Sequence, residues 1–118
     1  MRLGLDFDET VTLDPELFGQ LISLFTARGH EVIIVTIRQV SNNLNADVLA
    51  FAEEHQVEAI FTGGKQKAPF CDNLGKHVDV WMDDYPAAIP SVNKLAGMAF
   101  SCVKMKDLNI EPDDEEER

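Results

Sequence analysis

Cations are scarce in this chain. Lysine and arginine total 10 against 21 aspartates and glutamates, giving a formal net charge of −11. That balance argues against nucleic acid as a partner, since a broad basic face is the usual grip on a phosphate backbone. Part of the deficit is local. The stretch EPDDEEER holds six acids and one arginine, so it carries −5 and leaves −6 for residues 1–110. Residues 111–118 are too polar to pack and are expected to form a disordered acidic tail. Cysteine is nearly missing too. Cys71 and Cys102 match no metal spacing, and the expectation is two reduced, buried thiols in a cytoplasmic protein rather than a disulfide. Long apolar runs are absent: none approaches the roughly 20 residues of a membrane span. The first residues lack the basic region and long apolar segment of a signal peptide. There is no internal repeat and no linker, so residues 1–110 read as one domain with one core.

What is present is alternation. RLGLDF (2–7) reads as a short buried strand. Asp14-Pro15 reads as a helix start, with Asp at the N-cap and Pro in the first turn. Leu17, Phe18, Leu21, Ile22, Leu24 and Phe25 then give a wide apolar face ending near Gly29. EVIIVT (31–36) is a β-branched second strand. Ser41 suits the cap of a second helix carrying Leu44, Val48, Leu49 and Ala52. VEAIFT (57–62), HVDVWM (77–82) and GMAFSCV (97–103) complete five strands, with a short helix ending by Gly75 and a turn or short helix between Pro86 and Pro90. Strands apolar on both faces, alternating with helices, predict an α/β fold: a three-layer sandwich around a mainly parallel, Rossmann-like sheet of about five strands. The connections are short and leave no room for an inserted cap domain.

In open parallel sheets, ligands sit beyond the carboxyl ends of the strands. The polar residues collect there. The first strand runs into Asp6-Phe7-Asp8-Glu9-Thr10, the second ends in Thr36-Ile37-Arg38, and the third in Thr62-Gly63-Gly64, followed by Lys65 and Lys67. The fourth ends in Asp83-Asp84. A lone Asp after a strand usually caps a turn. Two acidic pairs at one sheet edge are different, because Asp6, Asp83 and Asp84 would repel one another unless a cation lay between them. Hard carboxylate ligands suit Mg²⁺, and a Thr and a Lys nearby are what a phosphate needs. His30, His55 and His77 fall at the opposite edge, each in a helix-to-strand turn, where the helix dipole favours them without any metal.

These residues resemble, in order, the motifs of the haloacid-dehalogenase-like hydrolase superfamily, whose members are mostly Mg²⁺-dependent phosphatases. LGLDFDET matches its DxDx[T/V] motif with Asp6, Asp8 and Thr10. VIIVT matches the strand ending in Thr or Ser, with Thr36. The family's Lys is Lys67 or Lys65, with Lys67 favoured because it stands where the next helix begins. VWMDD matches the closing acidic pair, Asp83 and Asp84. The resemblance implies that Asp6 attacks phosphorus and becomes an aspartyl phosphate, and that Asp8 serves as acid and base. It implies Mg²⁺ on Asp6, the Asp8 backbone carbonyl, Asp83 and Asp84, with phosphate held by Thr36 and the Lys. Arg38 is open to two readings, a reach to the substrate rim or a solvated surface position.

The chain departs from most of that family in lacking a cap. A macromolecular phosphate then fits, as does a small substrate covered by a second subunit in a homo-oligomer. Two rivals remain. A receiver-type phosphoacceptor needs its Asp after the third strand, where this chain has Thr62-Gly63-Gly64. A non-catalytic Mg²⁺- and phosphate-binding or regulatory protein would keep the site without turnover.

Overall fold

Valine and isoleucine are stiff at Cβ and pack well on a pleated surface. The run Val32-Ile33-Ile34-Val35 accordingly lies in the middle of the sheet, every residue buried. The computed structural model describes residues 1–41 and 43–90. Its strands are β1 (Arg2–Leu5), β2 (Glu31–Thr36), β3 (Glu58–Phe61) and β4 (Val80–Met82). The helices are α1 (Pro15–Ala27), α2 (Ala46–His55) and α3 (Lys67–Asn73), with short 3₁₀ turns at Val11–Leu13 and Pro86–Ala88. The four strands are parallel, in the order β3-β2-β1-β4. The architecture is therefore α/β with a parallel sheet, as expected. Four strands are described; the predicted fifth (97–103), Cys102 and the tail 111–118 lie outside the described residues.

Side chains alternate across a strand with period two, and the two faces of β2 feed two cores. Val32 and Ile34 join Leu3, Leu5, Ile22, Val48 and Phe51, the core against α1 and α2. Ile33 and Val35 join Ile60, Cys71, Val78 and Trp81, the core against α3. On that second face Gly4 stands opposite Trp81 in the β1–β4 register. A Cβ at Gly4 would come within 2.8 Å of the indole and 2.9 Å of Val78, so the missing side chain is what lets Trp81 lie across β1.

The local signals behave unevenly. Asp14 caps α1 as predicted, its carboxylate accepting from Leu17 N at 3.1 Å, with Pro15 in the first turn. The apolar face of α1 is narrower than its sequence suggests, since Leu17 and Leu24 are exposed while Ile22 is buried and Phe18, Leu21 and Phe25 pack beside it. The first and fourth strands are shorter than predicted, ending at Leu5 and beginning at Val80. The start of α2 is corrected. Ser41 Oγ accepts from Leu44 N in a turn ahead of the helix, Asn45 stands at the N-cap, and Leu44 is exposed. Among the described residues no helix is long and apolar enough to cross a membrane, and no cap domain is inserted.

Candidate functional site

Strand order sets the site. The chain steps from β1 to β2 to β3 on one side of β1, then crosses back to place β4 on the other. The crevice between β1 and β4 is thus the point where the winding reverses, the usual ligand position in such sheets. Leu5 pairs with Met82, so Asp6 and Asp83 are the next residues on adjacent strands. Asp6 N donates to Met82 O at 3.0 Å and closes the pair. Period-two alternation carries Asp6 from Gly4, and Asp83 from Trp81, to the face that α3 covers.

Lys67, the first residue of α3, is buried there. Its Nζ donates to Asp6 Oδ1 at 2.8 Å and to Asp83 Oδ2 at 2.5 Å. Lysine is almost never fully buried unless paired, and here it has two partners. The remaining oxygens are also used: Asp6 Oδ2 accepts from Thr10 Oγ1 at 3.1 Å, and Asp83 Oδ1 from Tyr85 N at 2.9 Å. Burial pushes the Asp83 carboxyl above its ordinary range, and the Lys67 ammonium pulls it back in part. Asp84 is exposed beside them. Its carboxyl is pushed up to about 6, by partial desolvation first, then by a hydrogen bond to Asp6 and the charges of Asp6 and Asp83. The carboxylates that should repel one another therefore have a cation among them, the ammonium of Lys67.

The second carboxylate of the first loop lies elsewhere. Glu9 has φ 61°, a left-handed backbone uncommon outside glycine, and the loop turns sharply after Asp8. Thr12 Oγ1 accepts from Glu9 N at 2.9 Å and steadies that turn. Asp8 points to Arg38, which grips it with two bonds, Nε to Oδ2 at 3.0 Å and Nη2 to Oδ1 at 2.6 Å. The same guanidinium grips Asp47 through Nη1 at 2.9 Å and Nη2 at 3.1 Å. It also donates to Leu44 O at 3.3 Å and Asn45 Oδ1 at 3.4 Å, and lies 5.5 Å from the centre of the Phe7 ring. These partners hold the guanidinium's charge more firmly than usual, Asp8 first and then Asp47. Asp47 is held below the ordinary carboxylate range by the same hydrogen bonds.

The structure thus gathers Asp6, Thr10, Lys67, Asp83 and Asp84 between β1 and β4. It ties Asp8 to Arg38. Thr36 is buried at the end of β2, where its Oγ1 accepts from Arg38 N at 3.3 Å and holds its own loop. Of the two lysines, Lys65 is exposed on the loop after Gly64, and Lys67 lies against Asp6. Asp47 and Asn45 carry no sequence motif. An Asn-Ala-Asp start to α2 was the available signal, with Asn at the cap and Asp in the first turn. Asn45 is buried, donating from Nδ2 to Gln39 O at 2.7 Å.

Asp6, Asp83 and Asp84 each offer a carboxylate oxygen, all within 4.8 Å of one another, a hard donor set of the kind Mg²⁺ takes. At the other ends of the strands the histidines have separate partners. His30 Nδ1 is 2.8 Å from Met1 N, His77 Nδ1 is 2.8 Å from Asp72, and His55 lies over the Phe51 ring. Cys71 is buried in the second core, and desolvation pushes its thiol up to about 11. No family model, curated protein or solved structure matches this chain.

Proposed function

We propose that this chain is a Mg²⁺-dependent phosphohydrolase acting on phosphate monoesters through an aspartyl phosphate on Asp6, in the manner of the haloacid-dehalogenase-like hydrolases that its sequence resembles. The observation that carries the reading is the Asp6–Lys67–Asp83 bridge, buried at the crevice between β1 and β4. A carboxylate is ionised near pH 7 and needs no base to act as a nucleophile. Lys67 and Thr10 hold the two oxygens of Asp6 and fix its direction. Asp6 attacks phosphorus, the bond to the leaving oxygen breaks, and Asp8 gives that oxygen its proton. Asp8 then takes a proton from the water that hydrolyses the aspartyl phosphate. Lys67, positive and buried, offsets the charge of the incoming phosphoryl oxygens; Thr36 is the further candidate donor.

Asp6, Asp83, Asp84 and the backbone carbonyl of Asp8 are the groups to hold Mg²⁺. Bound there, the ion would neutralise the repulsion between carboxylate and phosphate and orient the phosphoryl group. With no cap among the described residues, a phosphorylated macromolecule or a small phosphate covered by a second subunit suits the open site. The test is hydrolysis of p-nitrophenyl phosphate with and without Mg²⁺. Turnover that needs Mg²⁺ supports the enzyme. Tight phosphate and Mg²⁺ binding with no turnover would instead give the chain a binding or regulatory role.

A further inference from the structure

Lys67 opens a helix of seven residues, and Gln66 before it gives no side-chain cap. So short a helix cannot fix its own start. What fixes it is the loop in front, which Thr62 closes. Thr62 is buried just after β3, and its N donates to Thr36 O at 2.9 Å, anchoring it to the end of β2. Its Oγ1 donates to Lys65 O at 2.7 Å, and Lys65 N donates back to Thr62 O at 3.3 Å. Between them Gly63 and Gly64 have φ 64° and 88°, the left-handed backbone that such a turn asks of glycine. On the far side Ala68 N donates to Ile89 O at 3.0 Å, in the segment that follows Asp83-Asp84. The two threonines at strand ends thus differ. A carbonyl cannot donate, so the Thr62 hydroxyl hydrogen is committed to Lys65 O. Thr36 Oγ1 accepts from Arg38 N, and among the described residues its own hydrogen has no acceptor. Thr36 keeps a donor to offer, whereas Thr62 holds a loop.

We propose that Thr62 is a positioning residue for Lys67: its hydroxyl closes the turn that holds the first residue of α3 against Asp6 and Asp83. The catalytic consequence rests on the phosphohydrolase reading. A turn that opens lets the start of α3 shift, and an ammonium displaced by about 1 Å no longer offsets charge where it develops. A bound phosphate tolerates that shift better than the transition state does, so the loss falls on kcat more than on KM.

The test compares full-length wild type with Thr62→Ser, which keeps the hydroxyl, and Thr62→Val, which keeps the shape alone, each checked for folding by circular dichroism. Amide hydrogen exchange, resolved by NMR in EDTA, reads the start of α3 at Ala68. It also reads the start of α2, across the sheet, at Leu49, whose N donates to Asn45 O. Thr62→Val should speed exchange at Ala68 at least about tenfold and leave Leu49 within about twofold of wild type. Thr62→Ser should match wild type at both. Equal acceleration at the two amides would make Thr62 a general support of the fold and overturn the proposal, as would no acceleration at Ala68. Should Thr62→Val fail to fold, Thr62→Ser decides: wild-type exchange at Ala68 supports the proposal, and exchange about tenfold faster overturns it. With p-nitrophenyl phosphate and Mg²⁺, Thr62→Val should lower kcat about tenfold with KM within about twofold, and Thr62→Ser should restore it. Unchanged kcat in a Thr62→Val protein with fast Ala68 exchange overturns the link to Lys67. No Mg²⁺-dependent turnover by wild type would sink the phosphohydrolase reading, and the exchange comparison would still decide the role of Thr62.

Discussion

Two clusters in this protein have the same composition, two aspartates on one cation, and opposite surroundings. In the first, Lys67 joins Asp6 and Asp83 with side-chain exposures of 2%, 9% and 1%. In the second, Arg38 joins Asp8 and Asp47 with exposures of 24%, 50% and 55%. Burial makes the difference. Charges taken out of water carry a desolvation penalty that only their partners offset, so removing one partner leaves a large deficit. Exposed charges keep water as an alternative partner, and their pairing is worth little and is screened by salt. The buried cluster is fit to hold a nucleophile in one place. The exposed cluster is fit to exchange a partner.

The largest effect should come from breaking the buried cluster at its centre. Lys67→Met leaves Asp6 and Asp83 facing each other without a cation. It should lower stability by about 3–5 kcal/mol in denaturant melts in EDTA. On the proposed reading Lys67 also offsets phosphate charge, and in Mg²⁺ its loss should lower kcat by about 10²–10³-fold. A Lys67→Met protein as stable as wild type would mean that the ammonium is solvated and the cluster is not buried as described.

Asp83→Asn is gentler, because Lys67 keeps Asp6. A loss of about 1–3 kcal/mol is expected in EDTA. Mg²⁺ should then raise the melting midpoint much less than it does in wild type, since one ligand is gone. An undiminished Mg²⁺ shift would remove Asp83 from the proposed metal site.

Asp47→Asn probes the exposed cluster. It should change stability by no more than about 1 kcal/mol. Loss approaching that of Lys67→Met would erase the contrast between the two clusters.

The smallest effect concerns pH. Asp84 has its carboxyl pushed up to about 6, while its ordinary value is 3.8. Folding therefore favours the protonated form, and the stability this contributes below about pH 4 is lost as pH rises through about 6. In EDTA, wild type should lose stability relative to Asp84→Asn across that window and match it below. Parallel melting curves at every pH would show that Asp84 does not feel Asp6 and Asp83.

The sequence reveals one of these clusters better than the other. Asp6, Lys67 and Asp83 are visible because each follows or opens an element that apolar runs and turns delimit. That Lys67 bridges the two aspartates is not visible, because it depends on β4 lying beside β1, a pairing between residues far apart in the chain. The Arg38–Asp47 link is hidden for a local reason. Ser41 is a good cap by type, and placing the helix start there turns Asp47 from a first-turn residue into an interior one. The buried Asn45, bonded to Gln39 O, decides the matter through tertiary packing. Leu17 and Leu24 teach the same lesson in reverse, since helical spacing alone cannot say how wide a face the sheet covers.

The central claim is that Asp6 is the nucleophile of a Mg²⁺-dependent phosphohydrolase. The most direct measurement is the hydrolysis rate of p-nitrophenyl phosphate by wild type and Asp6→Asn, purified in parallel, with Mg²⁺ and with EDTA. Wild type should turn over only with Mg²⁺, and a folded Asp6→Asn should show no activity above background in either condition. Equal rates for the two proteins, or no Mg²⁺-dependent turnover by wild type, would contradict it.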